Sequence, residues 1–150
     1  MLELFAALIL AAAPTPETEV AEALDALHAA AARADGQAYF ELFTPDARFI
    51  GTDAAERWSL ADFRAYAEPY FARGQGWTYT PVERTVTLAP IQCRCVAWFD
   101  EVLDSRSYGV TRGSGVLRKT RDGWKIEQYV LSFAVPNDRA RAVVEAIAGE

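Results

Sequence analysis

One histidine, His28, and two cysteines, Cys93 and Cys95, occur among the 150 residues of this chain. That is too few of the usual ligands for a structural zinc site. The two cysteines fall two residues apart on a predicted strand, where their side chains point the same way and a bridge would need a distorted backbone. They are therefore expected as two small, half-buried thiols. Lys and Arg number 15 against 21 Asp and Glu, and they are dispersed. A net charge of −6 without a basic cluster excludes nucleic acid as a partner, because phosphate contacts need grouped cations. There is no dinucleotide fingerprint, phosphate loop, nucleophile elbow or paired-histidine motif, so neither cofactor nor metal is expected. The apolar run Leu4 to Ala13, ten residues long, is too short to span a bilayer.

That run instead matches the core of an export signal, and Ala11-Ala12-Ala13-Pro14 resembles a small-residue cleavage site. Glu3 stands where such signals carry Lys or Arg, which leaves open an apolar helix extension. We read residues 1–16 as a signal peptide and short linker and residues 17–150 as one domain. The expected location is periplasmic or secreted, and otherwise cytoplasmic. No cysteine follows the run, so no lipid or other stable membrane anchor is expected.

The hydrophobic pattern predicts α+β. A first helix begins at Thr18, carries Val20, Leu24, Leu27 and Ala31 on one face, and ends at Asp35-Gly36. A short helix spans Gln37 to Phe43, and Thr44-Pro45-Asp46 stops it. A strand runs from Ala47 to Ile50, and Ser59 caps a third helix reaching about Arg73. Four strands follow, roughly Trp77 to Leu88, Arg94 to Leu103, Tyr108 to Lys119 and Trp124 to Val135, joined by tight turns. Pro136 opens a final helix. With four-residue turns, one sheet face collects Trp98, Asp100, Thr111, Gly113, Gly115, Leu117, Trp124, Ile126, Gln128, Val130 and Ser132. Glycines there admit a close neighbour, so this face is assigned to the helices and a cavity. The opposite face collects Phe99, Glu101, Arg112, Tyr129 and Leu131, with Glu101 and Arg112 paired diagonally, and is assigned to a dimer contact. A single bulge would invert either assignment locally.

The segment Phe49-Ile50-Gly51-Thr52-Asp53-Ala54-Ala55-Glu56-Arg57-Trp58 places carboxylates, a hydroxyl and an indole at a tight turn after an apolar run. With His28-Ala29-Ala30-Ala31, Tyr39-Phe40, Trp98-Phe99-Asp100-Glu101, Arg112-Gly113-Ser114-Gly115, Gly123-Trp124 and Pro136-Asn137 in this order, the chain resembles the SnoaL-like subgroup of the nuclear transport factor 2-like proteins. The resemblance implies a cone: a curved antiparallel sheet wrapped on N-terminal helices around a pocket, often dimeric through the sheet. Related proteins isomerise or cyclise polyketides and steroids, while many members have no assigned chemistry. In many relatives a His or Asn stands at the position of Val130, a polar group this chain lacks.

Two functions follow as expectations. The first is binding of a small, largely apolar molecule in the cone without turnover. The second is a cofactor-free isomerase, cyclase or hydrolase in which His28, paired with Asp100, acts as general base. Each of the two also has a structural reading, as a hydrogen-bonded residue that holds the cone in shape. Asp53, Glu56, Trp58, Tyr66, Tyr70, Trp98, Gln128 and Ser132 are the expected ligand-binding residues. Asp53 also suits an ordinary Asx turn, Glu56 an ion pair with Arg57 or Arg64, and the aromatic residues plain core. A homodimer through Phe99, Arg112, Tyr129 and Leu131 is the expected assembly.

Overall fold

The computed structural model describes residues 13–149, so the leader reading at residues 1–12 lies outside the described residues. Helix α1 (Pro16–Ala32) starts earlier than expected, because Thr15 is its cap and accepts a hydrogen bond from the Thr18 backbone N–H. Pro16 at the first helical position costs nothing, since its missing N–H would have had no helical partner. The buried stripe Val20, Leu24, Leu27 and Ala31 is the one its spacing predicts, and His28 lies beside it. Asp35 caps α2 (Gly36–Glu41), and Ser59 caps α3 (Leu60–Phe71) by accepting from the Asp62 N–H.

Strand β1 (Phe43–Ile50) includes the Thr44-Pro45-Asp46 segment that reads as a helix stop, and its irregular pairing there accommodates Pro45. A short β2 (Arg57–Ser59), absent from the sequence reading, pairs back on β1. Strands β3 (Thr80–Leu88), β4 (Val96–Ser105), β5 (Gly109–Thr120) and β6 (Gly123–Phe133) form an antiparallel meander. The six strands order as β2-β1-β6-β5-β4-β3, with β1 parallel to β6. Helix α4 (Ala140–Ala148) follows a single 3-10 turn and buries none of its residues. No helix among the described residues is long and apolar enough to cross a membrane.

The concave face of the sheet closes on α1, α2 and α3. Val20, Leu24, Leu103, Leu117 and Ile126 are completely buried between them. Each such side chain contributes about 1.5–3 kcal/mol of transfer free energy.

Two details of pairing decide which residues face inward, and both correct the sequence reading. Leu103 meets Thr111 rather than Tyr108, because the β4–β5 turn is three residues long and ends at Gly109 in the left-handed region (φ 66°). An odd offset turns β4 over. Phe99 and Glu101 therefore point into the core, and Trp98 and Asp100 point out. Along β6 the register slips between Val116–Gln128 and Leu117–Ile126. This bulge leaves Trp124 and Ile126 inside as predicted, but brings Tyr129 and Leu131 inside and sends Gln128, Val130 and Ser132 out. Of the expected dimer residues only Arg112 is on the outer face; Phe99, Tyr129 and Leu131 are buried.

The cysteines also differ from expectation. Cys93 and Cys95 lie in the β3–β4 loop, ahead of the strand, and form a disulfide. The backbone distortion needed for so short a bridge is present: Arg94, between them, has φ 47°.

Candidate functional site

At the centre of the concave face sits Glu101, 1% exposed. Three side chains from three elements donate to its carboxylate. Tyr129 on β6 gives its hydroxyl hydrogen to Oε1 at 2.8 Å, and Arg84 on β3 gives its Nε–H to Oε2 at 2.8 Å. His28 on α1 is bonded through Nε2 to Oε1 at 2.8 Å. An ionised carboxylate only accepts, so Nε2 carries the proton. Arg84 also donates through Nη1 to the Ala21 carbonyl and to Asp25, at 3.1 and 2.7 Å, while its buried Nη2 has no partner. Gly113 lies opposite Glu101, and any side chain there would collide with the Tyr129 hydroxyl and with Glu101 itself.

Burial alone would raise the Glu101 pKa, but the hydrogen bonds and charges of His28 and Arg84 outweigh it and hold the group below the ordinary carboxylate value. The Tyr129 hydroxyl is pushed well up, by burial first and then by the neighbouring Glu101 charge, so it stays a neutral donor. With three donors on it, Glu101 fixes the positions of its neighbours. Among the described residues the His28 Nδ1 makes no protein hydrogen bond.

His28 and Tyr129 form part of the wall of a cavity of about 160 Å³. Aromatic rings make most of the rest. Tyr129, Phe49, Phe63 and Trp58 stack in sequence, with neighbouring centroids 5.8, 3.9 and 5.5 Å apart and planes within 17° of parallel. Tyr39, Trp77 and Tyr79 add to this wall, and Tyr66 and Tyr108, about half exposed, stand where it opens. The Gly51–Glu56 turn contributes Gly51, Thr52 and Glu56. It is closed by the Gly51 N–H donating to the Glu56 carbonyl at 2.9 Å.

Of the expected site residues, His28, Glu56, Trp58 and Tyr66 line this cavity together. Asp53 does not; it is exposed and accepts from the Ala55 N–H at 2.8 Å, the structural Asx-turn reading. Tyr70 is outside the cavity, beside Tyr66 and under the Arg73 guanidinium. Asp100, Trp98, Gln128 and Ser132 are on the far side of the sheet, carried there by the two register changes. The His28–Asp100 pair is thus replaced by His28–Glu101, and the Glu101–Arg112 diagonal by Glu101–Arg84. Glu56 makes no ion pair among the described residues; Arg64 lies instead over the Phe40 ring. Val130 faces outward, so its lack of polarity removes nothing from the cavity.

Glu101, Arg84 and Tyr129 were missed as site residues. A signal for Glu101 was present: Ala97, Phe99, Glu101 and Leu103 form an apolar stripe with one charge, whereas the alternate stripe holds Asp100 and Asp104. Two carboxylates mark the solvent side of a strand, and a single one among apolar residues marks a buried, partnered group.

Glu101→Ala is expected to lose about 3–5 kcal/mol of stability by leaving the Arg84 Nε–H, the Tyr129 hydroxyl and the His28 Nε2–H without their buried acceptor, measured by urea denaturation at neutral pH. Because the folded Glu101 pKa is lowered from 4.5, its contribution is full above that value and is lost as pH falls through the folded pKa. Glu101→Gln should therefore show a deficit at neutral pH that shrinks below about pH 4.5. A pH-independent deficit would mean the carboxylate charge is not what stabilises the cone.

The fold matches solved structures at low identity. A nuclear transport factor 2-like protein of unknown function from Pseudomonas putida is 14% identical, with 81% of this chain and 89% of that chain covered and a TM-score of 0.66. A proposed dehydratase of the same family from Streptomyces avermitilis is 16% identical over 80% of this chain and 96% of that one, with a TM-score of 0.67. A proposed ketosteroid isomerase from Shewanella frigidimarina is 18% identical over 78% and 97%, with a TM-score of 0.60. At these identities the likeness establishes the fold alone. No curated protein matches the sequence. The SnoaL-like domain family matches residues 20–136, from α1 through the last strand, and the chain belongs to that family.

Proposed function

We propose that this protein binds a small, largely apolar molecule in its cone. The observation that carries the reading is the aromatic-walled cavity with one uncommitted imidazole nitrogen on its wall. Apolar walls with a few convergent polar groups are the usual make-up of a ligand site. The volume of about 160 Å³ suits a ligand of about one ring, since an apolar cavity near that size accepts benzene.

A second reading, acid–base turnover, is favoured by the pairing of His28 with Glu101. A carboxylate that fixes one ring nitrogen of a histidine leaves the other as a positioned base, and stabilises the imidazolium that results. The proton it removes would come from a carbon next to a ligand carbonyl. The names of the dehydratase and isomerase neighbours agree with such chemistry without establishing it here.

We further propose that two copies pair through the outer sheet face, where Trp98 is 45% exposed on the same side as Val116 and Val130. We place the chain in an oxidising compartment, periplasmic or secreted, a reading that the Cys93–Cys95 disulfide supports.

Calorimetric titration with neutral one-ring compounds, cyclohexanone among them, tests the pocket. Trp58→Ala is expected to weaken binding about tenfold while the fold persists. Absence of heat with every such compound and with their ammonium-bearing counterparts would reject the reading. In the same samples, NMR of deuterium exchange next to the cyclohexanone carbonyl tests turnover: His28→Ala should slow it about 10²–10⁴-fold. Exchange no faster than in buffer would leave a binder. Trp98→Asp should yield monomers by light scattering, whereas a mutant that stays dimeric would place the interface elsewhere.

A further inference from the structure

We infer that the ligand of this cavity is a small organic cation, an ammonium group carrying apolar substituents. The inference rests on the cavity being a ligand site, as proposed above, and names the charge it selects.

Three observations converge on that charge. None of the residues lining the cavity is a lysine or an arginine. The nearest guanidinium of the site, Arg84, has its charge taken up by Glu101 and Asp25 at 2.8 and 2.7 Å. An anionic ligand would find no ammonium or guanidinium there, only the His28 ring whose Nε2 is already held by Glu101, and a carboxylate left without a partner in such a site is costly.

The cavity does have a carboxylate. Glu56 lines it, half-buried, with its Oε2 accepting from the Asp53 N–H at 3.2 Å and with no cationic partner among the described residues. The turn is shaped around this group. A Cβ on Gly51 would fall on the Glu56 carboxylate, so any larger residue there would displace that group from its present position. A carboxylate on a partly enclosed, apolar wall gains from a cation placed beside it. Here Arg57 precedes Trp58 in an exposed position and Arg64 is engaged with Phe40, and neither reaches Glu56.

The remaining surface is mostly aromatic, with Leu27, Ala31 and Leu131 among the rings. Trp58 and Tyr66 stand 4.6 Å apart between centroids at 33°, and Tyr79 and Tyr108 join them along the wall. An aromatic face carries negative potential and attracts a cation placed over it, most strongly for Trp. A methylated ammonium exposes only hydrocarbon and spreads its charge, so it satisfies apolar walls and a carboxylate together. The Tyr79 hydroxyl is pushed up to about 12, by burial first, then by Tyr108 and Glu56. Tyr66 is raised by burial and by Tyr70, with Glu56 adding to the shift.

The test compares two probes of the same shape with the full chain: choline, and 3,3-dimethyl-1-butanol, in which carbon replaces the charged nitrogen. Calorimetry should show choline binding at least about tenfold more tightly, with the preference lost in Glu56→Gln at an unchanged melting temperature. Tetramethylammonium should compete with choline, and benzoate should not. Equal or tighter binding of the neutral alcohol would overturn the cation inference while leaving the cavity a ligand site, as would failure of choline to bind where neutral one-ring compounds do. If neither these probes nor the neutral compounds bind, both readings fall. A choline preference that survives Glu56→Gln would overturn the assignment to Glu56.

Discussion

Glu101 is a carboxylate with almost no access to water, and it persists only because α1, β3 and β6 each bring it a donor. A buried charge is tolerated when hydrogen bonds and an opposite charge replace its hydration. Here that requirement couples elements far apart in sequence: His28 is 73 residues from Glu101 and Tyr129 is 28. Arg84 extends the coupling, since it holds the Ala21 carbonyl and Asp25 on α1 as well as Glu101. The placement of α1 across the sheet, the orientation of His28 and the shape of the cavity floor all follow from one ion-pair network. Replacing it with apolar residues would cost little packing but would remove the hydrogen bond that holds the His28 ring.

The cavity beside this network exists because its rings pack on one another. Tyr39 alone meets Phe40, Phe43, Phe63, Phe71 and Trp77, and it joins the cavity wall to the core beneath α2 and α3. Offset and edge-on contacts of this kind fix ring positions without filling the space in front of them. Gly113 keeps the floor clear for the Tyr129 hydroxyl, and Gly51 keeps the rim clear for Glu56. Both glycines are explained by what approaches them rather than by backbone conformation.

The architecture was largely legible in the chain. The helix stripe of α1, the Ser59 cap, four consecutive strands and the α+β class all depend on local patterns. His28, Glu56, Trp58 and Tyr66 were read as site residues and do meet in one cavity. Asp100, Trp98, Gln128 and Ser132 were misplaced for a single kind of reason. A side chain's face on a strand depends on parity, and parity changes with each residue in a turn or bulge. A three-residue turn at Arg106–Tyr108 and a register slip in β6 were enough. The cysteine bridge was missed on similar grounds, because Arg94 adopts a backbone angle that spacing alone does not reveal.

The sequence by itself determined most of the elements, the fold class and the chemical inventory: one imidazole, an excess of carboxylates and many aromatic rings. These follow from local hydrophobic periodicity, caps and composition. Only the tertiary structure decided that His28 pairs with Glu101 rather than Asp100, that Glu56 faces rings instead of arginines, and that Phe99 is core rather than interface. Those choices depend on long-range register, and adjacent residues on a strand differ in identity but not in the local signals that would say which of them turns inward.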